Sequence, residues 1–232
     1  MGSKRIGQVC RLKPEHYAVY KEMHANVWPE ILNLLTKVNI RNYSIYYCNK
    51  THLLFFTMEY IGDDFDNDMA IMSKDPKFKE CLIHIYTHCK VIPVKVNMSR
   101  EGTTPSKRLG AIIKLRPEQY DKYKELHAAV WPEVQDRLTK SNVRNFTIYY
   151  DKTTGFMFHH MEYIGADFDA DMAAIGDDPI TRKWWKECEP CQEPLQWTGP
   201  PPSEGGSGGE GGAWWKPMEE LFHDGHSAVK FL

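Results

Sequence analysis

The sequence predicts an α+β protein built from two ferredoxin-like domains, and three observations carry that reading. The segment Glu15 to Glu30 (EHYAVYKEMHANVWPE) returns at Glu118 to Glu133 as EQYDKYKELHAAVWPE, an offset of 103 residues (118 − 15). A period of that length is a whole small domain rather than one unit of a solenoid. Each copy is then embedded in the same order of periodicities: strand, helix, strand, strand, helix, strand. That βαββαβ order gives a four-stranded antiparallel sheet with both helices on one face. A single such sheet leaves its other face bare, and two can bury those faces against each other. The expectation is therefore an intramolecular dimeric α/β-barrel, a monomeric pseudo-dimer whose halves pair sheet to sheet. Repeat one takes residues 1–99, a linker takes 100–107 (REGTTPSK), and repeat two takes 108–232.

Repeat two opens on the short apolar run Leu109 to Leu115 (LGAIIKL), read as a strand. Arg116-Pro117 starts a helix with proline in its first turn. Helical period continues from Glu118 to about Lys140, with Leu126, Val130, Val134 and Leu138 as its core stripe. Pro132 removes a backbone donor inside that run, so a kink is expected just before Trp131-Pro132. Asn142 to Tyr150 (NVRNFTIYY) and Phe156 to Tyr163 are strands joined by a hairpin turn at Asp151 to Gly155. Alternation puts Phe146, Ile148 and Tyr150 on one face, and Asn145, Thr147 and Tyr149 on the other. In repeat one the same logic turns Leu54, Phe56, Met58 and Tyr60 towards the helices, with Phe55, Thr57 and Glu59 opposite. A second helix spans Asp167 to about Cys188 and is broken at Asp177-Asp178-Pro179, which sets the segment bearing Trp184 and Trp185 apart. Met218 to His223 reads as the final strand. Repeat one runs from Arg5 to about Met98, with its last strand near Val91 to Met98. Residues 203–212 (SEGGSGGEGG), after three prolines, read as a flexible loop.

Composition narrows the function. Over 232 residues, 29 Lys and Arg face 31 Asp and Glu, so no charge block points to nucleic acid or to a strongly basic partner. No apolar run approaches the ~18 residues of a membrane span. The amino terminus MGSKRIG lacks a secretory apolar region, and Ile6 stands where a myristoylation signal wants Ser or Thr. The six cysteines do not match between repeats, which argues against a disulfide framework and for a reducing cytoplasm.

Tyr20, His24 and Trp28, and again Tyr123, His127 and Trp131, are spaced four apart and so share one helix face. The histidines lead the catalytic candidates, because an imidazole exchanges protons near neutral pH and an adjacent tyrosine can orient it or a hydroxyl. Trp28 and Trp131, each followed by proline, read as packing residues. Trp184 and Trp185 point about 100° apart on a helix, so at most one serves an ordinary core. Flat indoles suit the apolar face of a pyranose. Their repeat-one counterparts are Cys81 and Leu82. Trp214 and Trp215 follow the flexible loop and either dock the chain end or help close a pocket. Phe146 stands where repeat one has Tyr43. Glu59 and Glu162 close equivalent strands, as ion-pair partners or as functional carboxylates. Cys81, His84 and His88 share a helix face, but their counterparts Trp184, Glu187 and Cys191 do not repeat the pattern, so no metal site is expected there. Cys188 and Cys191 alone are a weak zinc or redox signal. No phosphate-loop, dinucleotide or nucleophile-elbow string occurs.

These strings together resemble the L-rhamnose mutarotase family: Tyr-x3-His-x3-Trp-Pro-Glu, then Asn-(Tyr/Phe)-x-Ile-Tyr on a strand, Trp-Trp-Lys on the late helix, and the closing run from Trp214 or Trp215 to Glu-Glu-Leu-Phe at 219–222. The resemblance covers nearly the whole chain, twice. It implies ferredoxin-like domains that dimerise through their sheets, and interconversion of the α and β anomers of L-rhamnose or a related 6-deoxy sugar, by histidine general acid/base catalysis through ring opening, without metal or cofactor. By that resemblance His127 is the proton donor and Tyr123 binds substrate. Phe146 takes the place of a sugar-contacting tyrosine, and Trp184 and Trp185 line the sugar site; Trp214 and Trp215 join the substrate-binding candidates as indoles that help close the pocket. Tyr20, His24 and Tyr43 are the repeat-one equivalents. Repeat two has lost one hydroxyl and repeat one two indoles, so repeat two is expected to be the working site and repeat one a weakened one. Two other readings stand beside this: a cofactor-free oxygenase or haem-binding barrel, by fold analogy only, and a carbohydrate-binding pseudoenzyme.

Overall fold

The computed structural model describes residues 4–82, 85–94, 105–206 and 212–224, and the side chains of all of these except 81–94. The chain forms two compact units, Met1–Ile92 with Glu219–Leu232, and Pro93–Met218.

Unit one runs β1 (Lys4–Leu12), α1 (Tyr17–Ala25), α2 (Pro29–Lys37), β2 (Ile40–Cys48), β3 (Leu53–Tyr60), α3 (Phe65–Lys74), α4 (Pro76–Leu82) and β4 (Ile85–Val94). Its sheet has the order β4-β1-β3-β2, antiparallel throughout, as the split βαβ pattern requires. Unit two runs β5 (Lys107–Leu115), α5 (Tyr120–Ala128), α6 (Pro132–Lys140), β6 (Val143–Asp151), β7 (Phe156–Tyr163), α7 (Phe168–Asp177), α8 (Pro179–Cys188) and the two-residue β8 (Gln192–Glu193). There β6 pairs β7, and β7 pairs β5. The fourth position, on the free edge of β5, is shared by β8 and the first residues of β9 (Lys216–Asp224). From Glu219 onward β9 belongs to unit one and pairs antiparallel with β2. The repeat boundaries read from sequence do not anticipate that placement.

Two local readings change. The helix expected over 118–140 is two helices, not one kinked helix. Trp131 takes an extended backbone (φ −58, ψ 131) and caps α6, with Pro132 as its first residue. Proline forbids its predecessor the helical region, so the chain turns there instead of bending. Trp28 and Pro29 do the same in unit one. The last strand of repeat one starts at Ile85, earlier than expected, because the β-branched and aromatic content begins there. The part of that expectation at 95–98 lies outside the described residues. By contrast, α7 and α8 break at Asp178-Pro179 as read. Asp167 caps α7 by accepting from Ala170 N (3.1 Å), and Asp178 caps α8 by accepting from Thr181 N (2.7 Å).

The helices are tied to each sheet by the same polar knot. Asp171 on α7 accepts from Tyr163 Oη (2.6 Å) and from Asn142 Nδ2 (2.9 Å). Asp68 does so from Tyr60 (2.7 Å) and Asn39 (2.9 Å). A Cβ at Gly165 or Gly62 would strike the tyrosine of its own knot, which accounts for the glycine after each β7-type strand.

A β-bulge in β6 sets the phase of the site. Arg144 pairs with Glu162 but Thr147 pairs with His160, so Asn145 and Phe146 together oppose one residue, Met161. Asn145 sits in the left-handed region (φ 53), as Asn42 does at the equivalent bulge in β2 (φ 49). Asparagine tolerates that conformation better than other residues with a Cβ. The extra residue lets Val143, Phe146, Ile148 and Tyr150 all face the helices, where they join the core clusters. Substituting Asn145 with valine and with glycine removes the same side-chain bonds but only valine resists positive φ. Asn145→Val is expected to be less stable than Asn145→Gly by about 2 kcal/mol in urea unfolding; equal stability of the two would rule out the bulge conformation as the constraint.

Candidate active site

One helix face places the two leading side chains. Tyr123 and His127 lie one turn apart on α5, both buried (2% and 6% exposed), with their rings stacked at 4.1 Å and 25°. The His127 ring also bonds through Nδ1 to the Tyr123 carbonyl oxygen, 3.0 Å away. A carbonyl only accepts, so Nδ1 carries the proton and Nε2 of the neutral ring is left with its lone pair. Burial pulls the His127 pKa down to about 4, against a smaller upward pull from that bond. The imidazole is therefore neutral at pH 7, a proton acceptor at rest. Burial also pushes the Tyr123 hydroxyl well above its ordinary pKa, reinforced by Cys188 nearby, with Gln192 opposing. It stays protonated.

Tryptophans wall this pair. Trp184 on α8 meets the His127 ring edge-on at 5.4 Å, and Trp131 meets Trp184 at 5.5 Å. The extended backbone at Trp131 is what carries its indole there. Trp184 is buried, whereas Trp185, one residue on, is only partly buried and packs with Phe146 beside Val143 and Ile175. Trp214 and Trp215 dock on the same cluster. The Trp214 indole donates to Gln192 Oε1 (2.7 Å), while Gln192 Nε2 donates to Tyr123 Oη (3.3 Å). One buried amide thus links the tyrosine to the docked indole. The loop before it is anchored as well: Ser203 donates through both its backbone N (2.8 Å) and its hydroxyl to Glu189. Residues 207–211 of the glycine-rich stretch lie outside the described residues.

Unit one keeps the motif with a different wall. His24 bonds through Nδ1 to the Tyr20 carbonyl at 2.9 Å and stacks on the Tyr20 ring at 4.1 Å. Burial lowers its pKa too. Its edge-on neighbour is Phe222 of β9, at 6.0 Å, and Phe222 also meets Tyr43 at 5.9 Å. The Cys81 and Leu82 side chains, and the Cys81, His84 and His88 set, lie outside the described residues. Among the described residues no group of three or more His, Cys, Asp or Glu could hold a metal ion. Cys188 and Cys191 are buried free thiols, and burial pushes both pKa values up, away from nucleophilic or ligand chemistry.

A family model for L-rhamnose mutarotase matches this chain twice, over residues 5–86 and 108–224. The chain belongs to the L-rhamnose mutarotase family. It is an isomerase of that family. The L-rhamnose mutarotase of Lactiplantibacillus plantarum is 34% identical over 86 residues, 37% of this chain and 80% of that protein. That of Bacillus subtilis is 29% identical over 87 residues, 38% of this chain and 81% of that protein. A crystal structure from Fusobacterium nucleatum, provisionally described as a monooxygenase, overlays with a TM-score of 0.52 at 12% identity, covering 83% of this chain and 89% of that one. That likeness shows the fold alone. No helix among the described residues is long and apolar enough to cross a membrane.

Within this family frame, the structure gathers Tyr123, His127, Phe146, Trp184, Trp185, Trp214 and Trp215 into one packed cluster in unit two. Glu162 is not part of it. It shares the opposite sheet face with Phe158 and His160, 4.0 Å from His160 Nε2. Glu59 closes the equivalent strand and accepts from Asn42 Nδ2 at 3.3 Å. Sequence reading missed two residues. Gln192 gave no motif, although its replacement of Cys89 (192 − 103) was a visible signal. His159 sits on β7 in line with Met157 and Met161, its ring 5.3 Å from Phe146 and 5.1 Å from Trp215. It is part-exposed as a residue, but its Nδ1 is buried and unbonded among the described residues. An unbonded buried polar atom costs about 1–3 kcal/mol. If Gln192 holds Trp214 in place, Gln192→Leu will speed solvent exchange of the Trp214 indole N–H by about tenfold or more, followed by NMR. An unchanged rate would show that the indole is held by packing alone.

Proposed function

We propose that this chain interconverts the α and β anomers of L-rhamnose, or of a related 6-deoxy sugar, at the unit-two site. The observation that carries the reading is the state of His127: a neutral buried imidazole with one nitrogen committed to a backbone carbonyl, the other available, and an indole against its edge. Family membership supplies the reaction, and the indoles supply apolar faces against which a pyranose ring can rest.

Mutarotation needs a proton removed from the anomeric hydroxyl and one delivered to the ring oxygen. In this reading His127 Nε2 takes the proton from O1. The C1–ring-oxygen bond breaks as the C1=O1 double bond forms, and its electron pair leaves on the ring oxygen. A proton from Tyr123 Oη, or from a water, meets that oxygen. The open aldehyde turns about C1–C2. Closure on the other face reverses the transfers, and the His127 imidazolium returns its proton to O1, acting then as the donor the family resemblance implies. Burial makes a free Tyr123 phenolate costly, so its proton moves in concert with ring opening or through a bound water. The Gln192 amide, which donates to Tyr123 Oη, stabilises the oxygen while it is short of a proton. Acid–base help of this kind contributes about 10²–10⁴-fold.

Unit two is favoured over unit one because Trp184 lies beside His127, whereas among the described residues the ring edge-on to His24 is the smaller Phe222, and the sequence has Cys81 and Leu82 in place of the tryptophan pair. The oxygenase reading rests on fold likeness alone, and no residue of the site favours it.

Saturation-transfer NMR on L-rhamnose separates the two units. His127→Ala is expected to lose about 10²–10⁴-fold of the protein-dependent exchange rate, and His24→Ala to keep a rate within a few-fold of wild type. Wild-type exchange in the first variant would remove the proposal, and loss confined to the second would move the site to unit one.

A further inference from the structure

The two repeats exchange polarity at one pair of neighbouring positions. On β2 and β3 of unit one, Tyr43 faces Phe56, their rings stacked at 6.2 Å and 15°. The same positions in unit two, 103 residues on (146 − 43 and 159 − 56), hold Phe146 and His159, 5.3 Å apart. The backbone frame is the same in both: Ile45 pairs with Phe56, Ile148 pairs with His159, and the aromatic at the bulge is the diagonal neighbour of the β3 or β7 residue. Each unit therefore has one hydrogen-bonding ring and one purely apolar ring at this spot, and the polar one has changed strands.

The His159 ring lies tilted against Phe146 (5.3 Å) and edge-to-face with Trp215 (5.1 Å), and its buried Nδ1 has no hydrogen-bond partner among the described residues. Burial lowers its pKa to about 4, so the ring is neutral and presents one donor and one acceptor. Phe146 and Trp215 both pack on the cluster that holds Tyr123 and Trp184. The unbonded Nδ1 leaves a hydrogen-bonding position beside that cluster that a ligand atom can fill.

We propose that His159 makes the sugar hydrogen bond that Phe146 cannot make, and so acts as a specificity-determining residue of the unit-two site. This rests on the reading of that site as a sugar site. Because the imidazole comes from β7 and the lost phenol would come from β6, about 4.8 Å away across the ladder, the hydroxyl of the pyranose is approached from the adjacent strand. The ligand class stays a monosaccharide with a free ring hydroxyl, and the proton transfers at C1 remain with His127.

Two readouts with L-rhamnose as the probe test this: tryptophan fluorescence for binding, and saturation-transfer NMR for exchange. His159→Phe gives unit two an apolar ring at both positions. It is expected to weaken binding, and to raise KM, by about tenfold or more, with kcat within a few-fold of wild type. His159→Gln keeps a donor and an acceptor and is expected to bind nearly as wild type. The double exchange Phe146→Tyr with His159→Phe restores the unit-one arrangement and is expected to recover most of the lost affinity. Wild-type affinity in His159→Phe overturns the proposal, and so does an equal loss in all three variants, which would mark a packing role. If wild type binds L-rhamnose without exchanging its anomers, and the variants still rank as stated, the mutarotase reading falls and this inference stands. If wild type binds no L-rhamnose, both fall.

Discussion

One turn of helix α5 governs the chemistry of this site. The Tyr123 carbonyl receives the Nδ1 proton of His127, and the Tyr123 ring lies flat against the imidazole. That pair of contacts fixes both the orientation of the ring and its tautomer. Burial then removes the cationic form at neutral pH. A histidine in water is part acid and part base near pH 7, whereas this one is a base with a single usable nitrogen. The remaining features act through that arrangement. The bulge at Asn145 sets the phase of β6, Trp184 closes the imidazole edge, and Gln192 ties the tyrosine hydroxyl to a docked indole.

Duplication makes the logic visible, because the two copies share the backbone and differ in the walls. The histidine-to-carbonyl bond, the stacked tyrosine, the left-handed asparagine and the Asp-Tyr-Asn knot occur in both units. They are consequences of short sequence patterns in a common fold. The walls do not repeat. Unit two has Trp184, Gln192, Trp214 and His159, and unit one has Phe222 and Phe56. Difference between the units therefore resides in side chains reaching in from α8, β7, β8 and the carboxy-terminal segment, not in the helix that carries the histidine.

Much of this was legible in the sequence, for identifiable reasons. A repeated Tyr-His-Trp spacing of four residues maps directly onto one helix face, and the order of periodicities fixes the ferredoxin-like units. The break between α5 and α6 was misjudged because a continuous apolar stripe outweighed the restriction that Pro132 places on Trp131. The bulge was invisible because alternation beyond it, at Phe146, Ile148 and Tyr150, is regular by itself. Only Val143, on the far side of the extra residue, is out of phase. Gln192 and His159 were missed because each acts through a neighbour distant in sequence, Trp214 and Tyr123 in one case, Phe146 and Trp215 in the other. The pairing of Glu219–Asp224 with β2 is likewise non-local, and periodicity within one repeat carries no information about it.

The central claim is that His127 rests as a neutral base, protonated on Nδ1. Long-range proton–nitrogen correlation NMR of the imidazole, assigned by its absence in His127→Ala and followed from about pH 8 to about pH 3, reads both properties at once. The account requires the Nδ1–H tautomer across the neutral range and protonation only as the pH approaches about 4. An Nε2–H tautomer, or titration at the ordinary histidine value of about 6.5, would contradict it.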